Sequence, residues 1–245
     1  MSEQKTTKVP EEKVRAEKWR SFELLIGGIP GSPLVTNRFH ADAAKIYTEL
    51  YGGREEEGIE QESEKKRMKK RQKMTPSPFF SFYKSMYWIS KEPKKPTMKQ
   101  VENGVFGIKP SAIKASLVMA SKLSSVQVKG RDVAGCIWIH AGNDSSNPLY
   151  SRITNSKPIM TEEMVRLPAK QYDGKGPPQM RYRGGFLNWR ARIIVDYDEN
   201  QFSRAEVLEL INVAGSKVGL HEGRPERKSS HGWGRYTIYG GTARG

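Results

Sequence analysis

Between residues 187 and 197 apolar side chains fall on alternate positions, with Leu187, Trp189, Ala191, Ile193, Val195 and Tyr197 separated by Asn188, Arg190, Arg192, Ile194 and Asp196. A period of two sends successive side chains to opposite faces, so this segment is a half-buried β-strand carrying Arg190 and Arg192 on its second face. Just downstream, Ser203 and Glu206 have the spacing of a capping box, and Phe202 and Val207 stand where a hydrophobic staple requires them. Val207, Leu208, Leu210, Ile211 and Ala214 supply the apolar face of the helix that follows, up to Gly215. A glycine-punctuated basic loop occupies 218–234, and 235–239 alternates again as a last strand. A strand, a capped helix, a loop and a strand in this order fit an α+β chain.

The rest of the chain supplies partners for that unit. Ser21 to Ile26 reads as a strand, closed by a turn cluster at 27–33. Ala43, Ile46, Tyr47 and Leu50 share one helical face, which Gly52 and Gly53 end. Pro110 suits a first helical turn, and Ile113, Leu117, Ala120 and Leu123 follow at helical spacing. The apolar run 133–139 reads as a buried strand, whereas 141–185 reads as loop-rich, with a strand expected around 164–167. Residues 1–18 are polar and read as a flexible tail, and 19–245 as a single domain with a basic insertion at about 54–100. Cys136 is the single cysteine, so an internal disulfide and a cysteine zinc site are excluded, and a reducing cytoplasm is expected. Nothing approaches the roughly 20 apolar residues that span a bilayer, so no membrane partner is expected.

Charge narrows the partner. The formal net charge is +15, and the stretch 61–100 holds 12 Lys/Arg against 3 acidic residues. Phe79, Phe80, Phe82, Tyr83, Tyr87 and Trp88 lie in the same stretch. Cations hold phosphates and rings stack on bases, a pairing that suits single-stranded nucleic acid. The candidate contacts are Lys65, Lys66, Arg67, Lys69, Lys70 and Arg71 of the charged arm at 54–73, Lys84, Arg190 and Arg192 of the alternating strand, and Arg224, Arg227, Lys228 and Arg235 of the glycine-rich loop. Each has a plainer reading: the rings as core, the strand's second face as a packing surface, the loop as a solvated connection.

The C-terminal unit is the second half of a ferredoxin-like (RRM-like) βαββαβ domain. With its loop reading V-G-L-x-E-G and then G-W-G-R-Y-x-I, it resembles the glycine-rich loop of the RAMP superfamily, RNA-binding proteins of CRISPR effector complexes. The segment 104–114 is similar to the one that opens the first helix in those proteins, and 29–34 to their early loop. The pattern is also similar to small bacteriophage proteins with a comparable C-terminal signature. The resemblance spans about 20–50 and 100–240, and the last 60 or so residues carry its specific part. It implies an α+β fold with a ferredoxin-like core, a glycine-rich loop and long basic insertions. It also implies RNA binding and head-to-tail stacking of subunits along a strand. The insertion at 54–100 aligns with no counterpart there; as an exposed basic arm with aromatics, it is expected to reach over a neighbouring copy or its bound strand.

Catalysis has less to stand on. His40, His221 and His231 could serve as acid or base in RNA cleavage, yet none has metal-ligand spacing, and no position matches the histidine or aspartate that RNA-cutting family members use. Phosphate-loop and serine-hydrolase motifs are absent from the sequence, and Asp196, Asp198 and Glu199 read as residues of a strand end. The expectation is a single-strand-binding protein without metal or cofactor, forming a homo-oligomer or filament. A metal-independent endoribonuclease of the same superfamily is the alternative, and an inhibitor of a nucleic-acid-handling machine a third reading.

Overall fold

The computed structural model describes residues 18–38, 77–166, 178–227 and 231–243. The tail before residue 18, the helix expected at 40–50 and the arm at 54–73 lie outside the described residues. Strand β1 (Trp19–Gly28) leads through a turn to the short β2 (Leu34–Val35). Next come helix α1 (Pro78–Lys84), α2 (Met98–Glu102), β3 (Gly107–Ile108), α3 (Pro110–Ala120), and α4 (Gly130–Cys136), which runs straight into β4 (Ile137–Ala141). β5 (Ser151–Thr154), the hairpin strands β6 (Pro158–Arg166) and β7 (Pro178–Phe186), β8 (Arg190–Asp198), α5 (Arg204–Val213) and β9 (Tyr236–Ala243) follow.

The order β9-β1-β8-β4, antiparallel throughout, with α3 between β1 and β4 and α5 between β8 and β9, is the βαββαβ path of a ferredoxin-like domain. The alternation in β8 decides its two faces. Ala191, Ile193 and Val195 are buried and pair with the buried Ile26, Leu24 and Phe22 of β1, on the side covered by Ile113 and Leu117 of α3 and Leu210 and Ile211 of α5. Arg192, Ile194 and Asp196 point the other way, in register with Leu25, Glu23 and Ser21. The capping box forms as its spacing requires: Glu206 N donates to Ser203 Oγ (3.3 Å) and Ser203 N to Glu206 Oε2 (2.7 Å), with Phe202 and Val207 buried beside it.

Three expectations need correction. The run 133–139 is no single strand; it is helical through Cys136 and extended from Ile137. Lys114 Nζ donates to the carbonyls of Ala134 and Ile137 at that junction, satisfying groups that a helix end leaves orphaned. Residues 141–185 are also more regular than expected, since β6 and β7 pair from Pro158↔Phe186 to Arg166↔Pro178. Ile159, Met160 and Met180 are each partly exposed, so solvent reaches both hairpin faces and blurs the alternation. Finally, the chain does not stop being helical at Gly215. It passes into a π-turn (Ala214–Val218), and Gly215 is needed because a Cβ there would lie 2.1 Å from Tyr236 O.

Residues 79–88 pack into the chain's own core, whereas Lys91, Lys94, Lys95 and Lys99 are exposed. Phe82, Tyr83, Met86, Tyr87 and Trp88 are buried, and Phe79 and Phe80 pack on them. These buried rings therefore do not form the exposed stacking platform expected of them.

Candidate nucleic-acid interface

The helix-free face of the ferredoxin-like sheet is where the described chain gathers rings and cations. Parity along β8 places Arg190 and Arg192 there, and the strand pairing adds neighbours that sequence patterns alone had not grouped. Trp138 lies opposite Asp196 and His140 opposite Ile194, so both β4 side chains share the arginines' face. Trp138 is 50% exposed although it sits among buried isoleucines. The run I-W-I-H-A alternates by itself, but its pairing with β8 decides that Trp138 and His140 join the arginines.

At the other end of β8, Arg190 lies over the ring of Tyr239, with its guanidinium carbon 3.2 Å from the centroid. Two devices make that stack. The β1–β9 register slips between Leu25 and Ile26, pairing them with Gly240 and Ile238 and leaving Tyr239 as the extra residue of a bulge, which re-aims its ring. Gly27, opposite Arg190, has no side chain to obstruct it; a Cβ there would fall 2.7 Å from Arg190 Cδ. Tyr239 Oη donates to Gly28 O (3.0 Å), fixing the ring. Between the two ends, Arg192 meets Glu23 at 3.4 Å, beside a hollow floored by Leu25, Gly240 and Gly241. From Asp196 to Arg190 the face runs seven residues of β8, roughly 20 Å of strand. An RRM-type sheet stacks two or three bases on a surface of this kind.

The glycine-rich loop is a folded hub. Leu220 N donates to Gly234 O, Gly234 N to Pro33 O, Glu222 N to Val35 O and Arg235 N to Ser32 Oγ, so the 29–35 turn and the loop are stitched together. Its charges meet near partners: Arg224 with Glu226 at 3.0 Å, Arg183 with Glu222 at 3.3 Å, and Arg235 Nε donating to Ser216 O at 3.2 Å. Arg235 precedes β9 at the end of the sheet that holds Arg190, because Ile29 N donates to Arg235 O just beyond the Gly28↔Tyr236 pair. Arg227 ends a 3-10 turn (Pro225–Arg227).

Other candidates lie elsewhere. Lys84 is largely buried, bonded to Glu92 at 2.8 Å beside the Phe80 and Tyr83 rings, while Arg38 meets the same carboxylate at 2.7 Å. These two cations hold the Glu92 carboxyl below its ordinary range against the opposing effect of burial. Lys65, Lys66, Arg67, Lys69, Lys70, Arg71, Lys228 and His40 lie outside the described residues.

The two loop histidines differ in setting: the Nε2 of His221 is buried, whereas His231 is exposed. His221, at a φ of 58°, rests near the Tyr87 ring with its Nε2 buried and without a hydrogen-bond partner. Burial first, then the charges of Arg224 and Lys109, push its pKa down to about 4. His231 stacks on Trp233 and its Nε2 meets Glu163 of β6 at 3.1 Å. Among the described residues no group of three or more His, Cys, Asp or Glu could hold a metal ion, and no helix is long and apolar enough to cross a membrane.

No protein-family model and no curated protein matches the sequence. Among solved structures the chain is similar to one from the cryo-EM structure of the Type III-B Cmr-beta bound to cognate target RNA. The identity is 11% and the TM-score 0.42, over 92% of this chain; the chain spans 60% of that one's length.

Proposed function

We propose that the protein binds single-stranded nucleic acid along the helix-free face of its ferredoxin-like sheet, and assembles head to tail on the strand as a backbone-type subunit. One observation carries the binding reading: Trp138, Arg192 and the Arg190–Tyr239 stack stand on one face, with rings for bases and guanidinium groups for phosphates. A net charge of +15 supports the same partner through counterion release. Head-to-tail assembly is supported by the RAMP resemblance and by Ile159, Met160 and Met180, apolar hairpin side chains that the chain's own core leaves partly uncovered.

The test is anisotropy of labelled single strands, RNA and DNA, between about 50 and 200 mM salt. Affinity should fall steeply as salt rises, and binding that is flat across that range contradicts the reading. Mass photometry on strands of graded length tests assembly: copy number should rise in equal steps with length, and one copy at every length removes the assembly half.

A further inference from the structure

At the β4 end of the same face, Trp19, Arg20, Ser21, Trp138, His140 and Asp196 line an open cleft of about 400 Å³. The register explains its shape. Ser21, Asp196 and Trp138 form one row across β1, β8 and β4, so the Asp196 carboxylate stands in the middle strand with an indole two strands from β1. Trp19, two residues before Ser21 on the same strand face, brings a second indole to the rim. Strand spacing separates β1 from β4 by about 10 Å, room for a flat ring between side chains that lean inward. Trp19 and Trp138 are 40% and 50% exposed, and Lys114 Nζ lies against one face of Trp138, 4.5 Å from the ring centroid, so the opposite face is the one that can stack.

The polar groups select among bases. Asp196 accepts from His140 Nε2 through Oδ2 (3.0 Å), an ion pair or hydrogen bond that orients the carboxylate and leaves acceptor capacity on both oxygens. A carboxylate facing a base edge accepts two hydrogen bonds only where the edge presents two adjacent donors. Guanine does so with N1–H and its N2 amino group; adenine, cytosine and uracil each offer one donor group on the corresponding edge. Arg20 borders the cleft between Trp19 and Ser21, but it has the parity of Phe22 and its Nε donates to Glu199 (3.1 Å), so the base is read by Asp196 and stacked by Trp138.

Resting on the proposed single-strand binding, we propose that this cleft is a guanine pocket that gives the otherwise sequence-tolerant face one base preference. Trp138 stacks the base, Asp196 reads its N1 and N2 donors, and His140 positions Asp196.

The experiment uses the full chain and fluorescein-labelled uridine 12-mers whose central base is guanine, hypoxanthine, adenine or uracil. Guanine should bind tightest, by roughly 5- to 150-fold over adenine and uracil, as a bidentate contact discriminates. Hypoxanthine, which keeps N1–H and lacks the amino group, should fall between. Asp196→Asn should erase the order, and with a carboxylate removed from the face the all-uridine strand should bind somewhat more tightly than to the unaltered protein. Equal binding of all four strands by the unaltered protein overturns the pocket and leaves general binding standing. A guanine preference that survives in a folded Asp196→Asn protein overturns the assignment to this carboxylate. Failure of every strand to bind overturns the pocket together with the function beneath it. The hypoxanthine arm needs no altered protein, so the pocket is tested even if Asp196→Asn does not fold.

Discussion

Arg192→Ala should lower both the affinity for a single strand and its salt dependence, by amounts the structure fixes. Arg192 lies mid-face, its side chain 50% exposed and paired with Glu23 at 3.4 Å. If it neutralises one phosphate, its loss removes about 0.7 from the slope of log affinity against log salt for a single strand. At about 0.15 M salt that is worth about 0.8 kcal/mol, or roughly fourfold in Kd. The fold should also lose some stability, because the Glu23 side chain keeps only 13% of its exposure and loses its cationic partner, a cost of about 1–3 kcal/mol that melting curves separate from the loss of binding. Glu23→Gln is the complementary change. It removes a carboxylate from the path of the phosphates and releases Arg192, so binding should tighten by a similar factor. Anisotropy titrations at four salt concentrations and melting curves measure both. An unchanged slope in Arg192→Ala, or weaker binding in Glu23→Gln, refutes the phosphate path across β8.

Three further outcomes follow from separate parts of the structure. Trp138→Ala should weaken strand binding by about 1–3 kcal/mol with the salt slope unchanged, since stacking rather than charge is lost; a changed slope in isothermal titration would contradict that role. The folded chain resists protonating His221 until about pH 4, whereas the unfolded chain takes up that proton below about 6.5, so this residue's stability contribution is lost as pH falls through that window. His221→Asn, whose side chain tolerates the φ of 58°, should remove a slope of up to about 1.4 kcal/mol per pH unit from urea-melt stability, and an unchanged slope would contradict the burial argument. Ser203→Ala should cost about 1 kcal/mol by thermal melting, and no cost would mean that the capping box contributes nothing.

What could be read from the sequence is what depends on local rules. The alternation of β8, the Ser203–Glu206 box and the Pro110 helix start each follow from spacing within one element, and each stands in the structure. The site was half legible for the same reason: Arg190 and Arg192 announce their face by parity. Trp138, His140 and Tyr239 did not, because which face they join depends on β4 pairing with β8 and on a bulge in β9, contacts between residues far apart in the chain. The rings at 79–88 misled because composition placed them beside lysines, while packing buries Phe82 and Trp88 and gives Lys84 to Glu92. The split at Cys136 rests on Lys114 reaching carbonyls from another helix, which no window on 133–139 contains. The glycines of the loop permit positive φ and close backbone approach as well as phosphate contact. At Gly234 both the positive φ of 70° and the close approach are used, since a Cβ there would lie 2.0 Å from Leu220 O.

The central claim is that a strand lies on the helix-free sheet face, and photo-crosslinking tests it most directly. A single strand carrying 4-thiouridine would be bound to the full chain, irradiated and digested, and the cross-linked peptides identified by mass spectrometry. The account predicts cross-links within Ile137–Ala141 and Tyr236–Ala243, centred on Trp138 and Tyr239. Cross-links confined to α3 and α5, on the opposite side of the sheet, would contradict it.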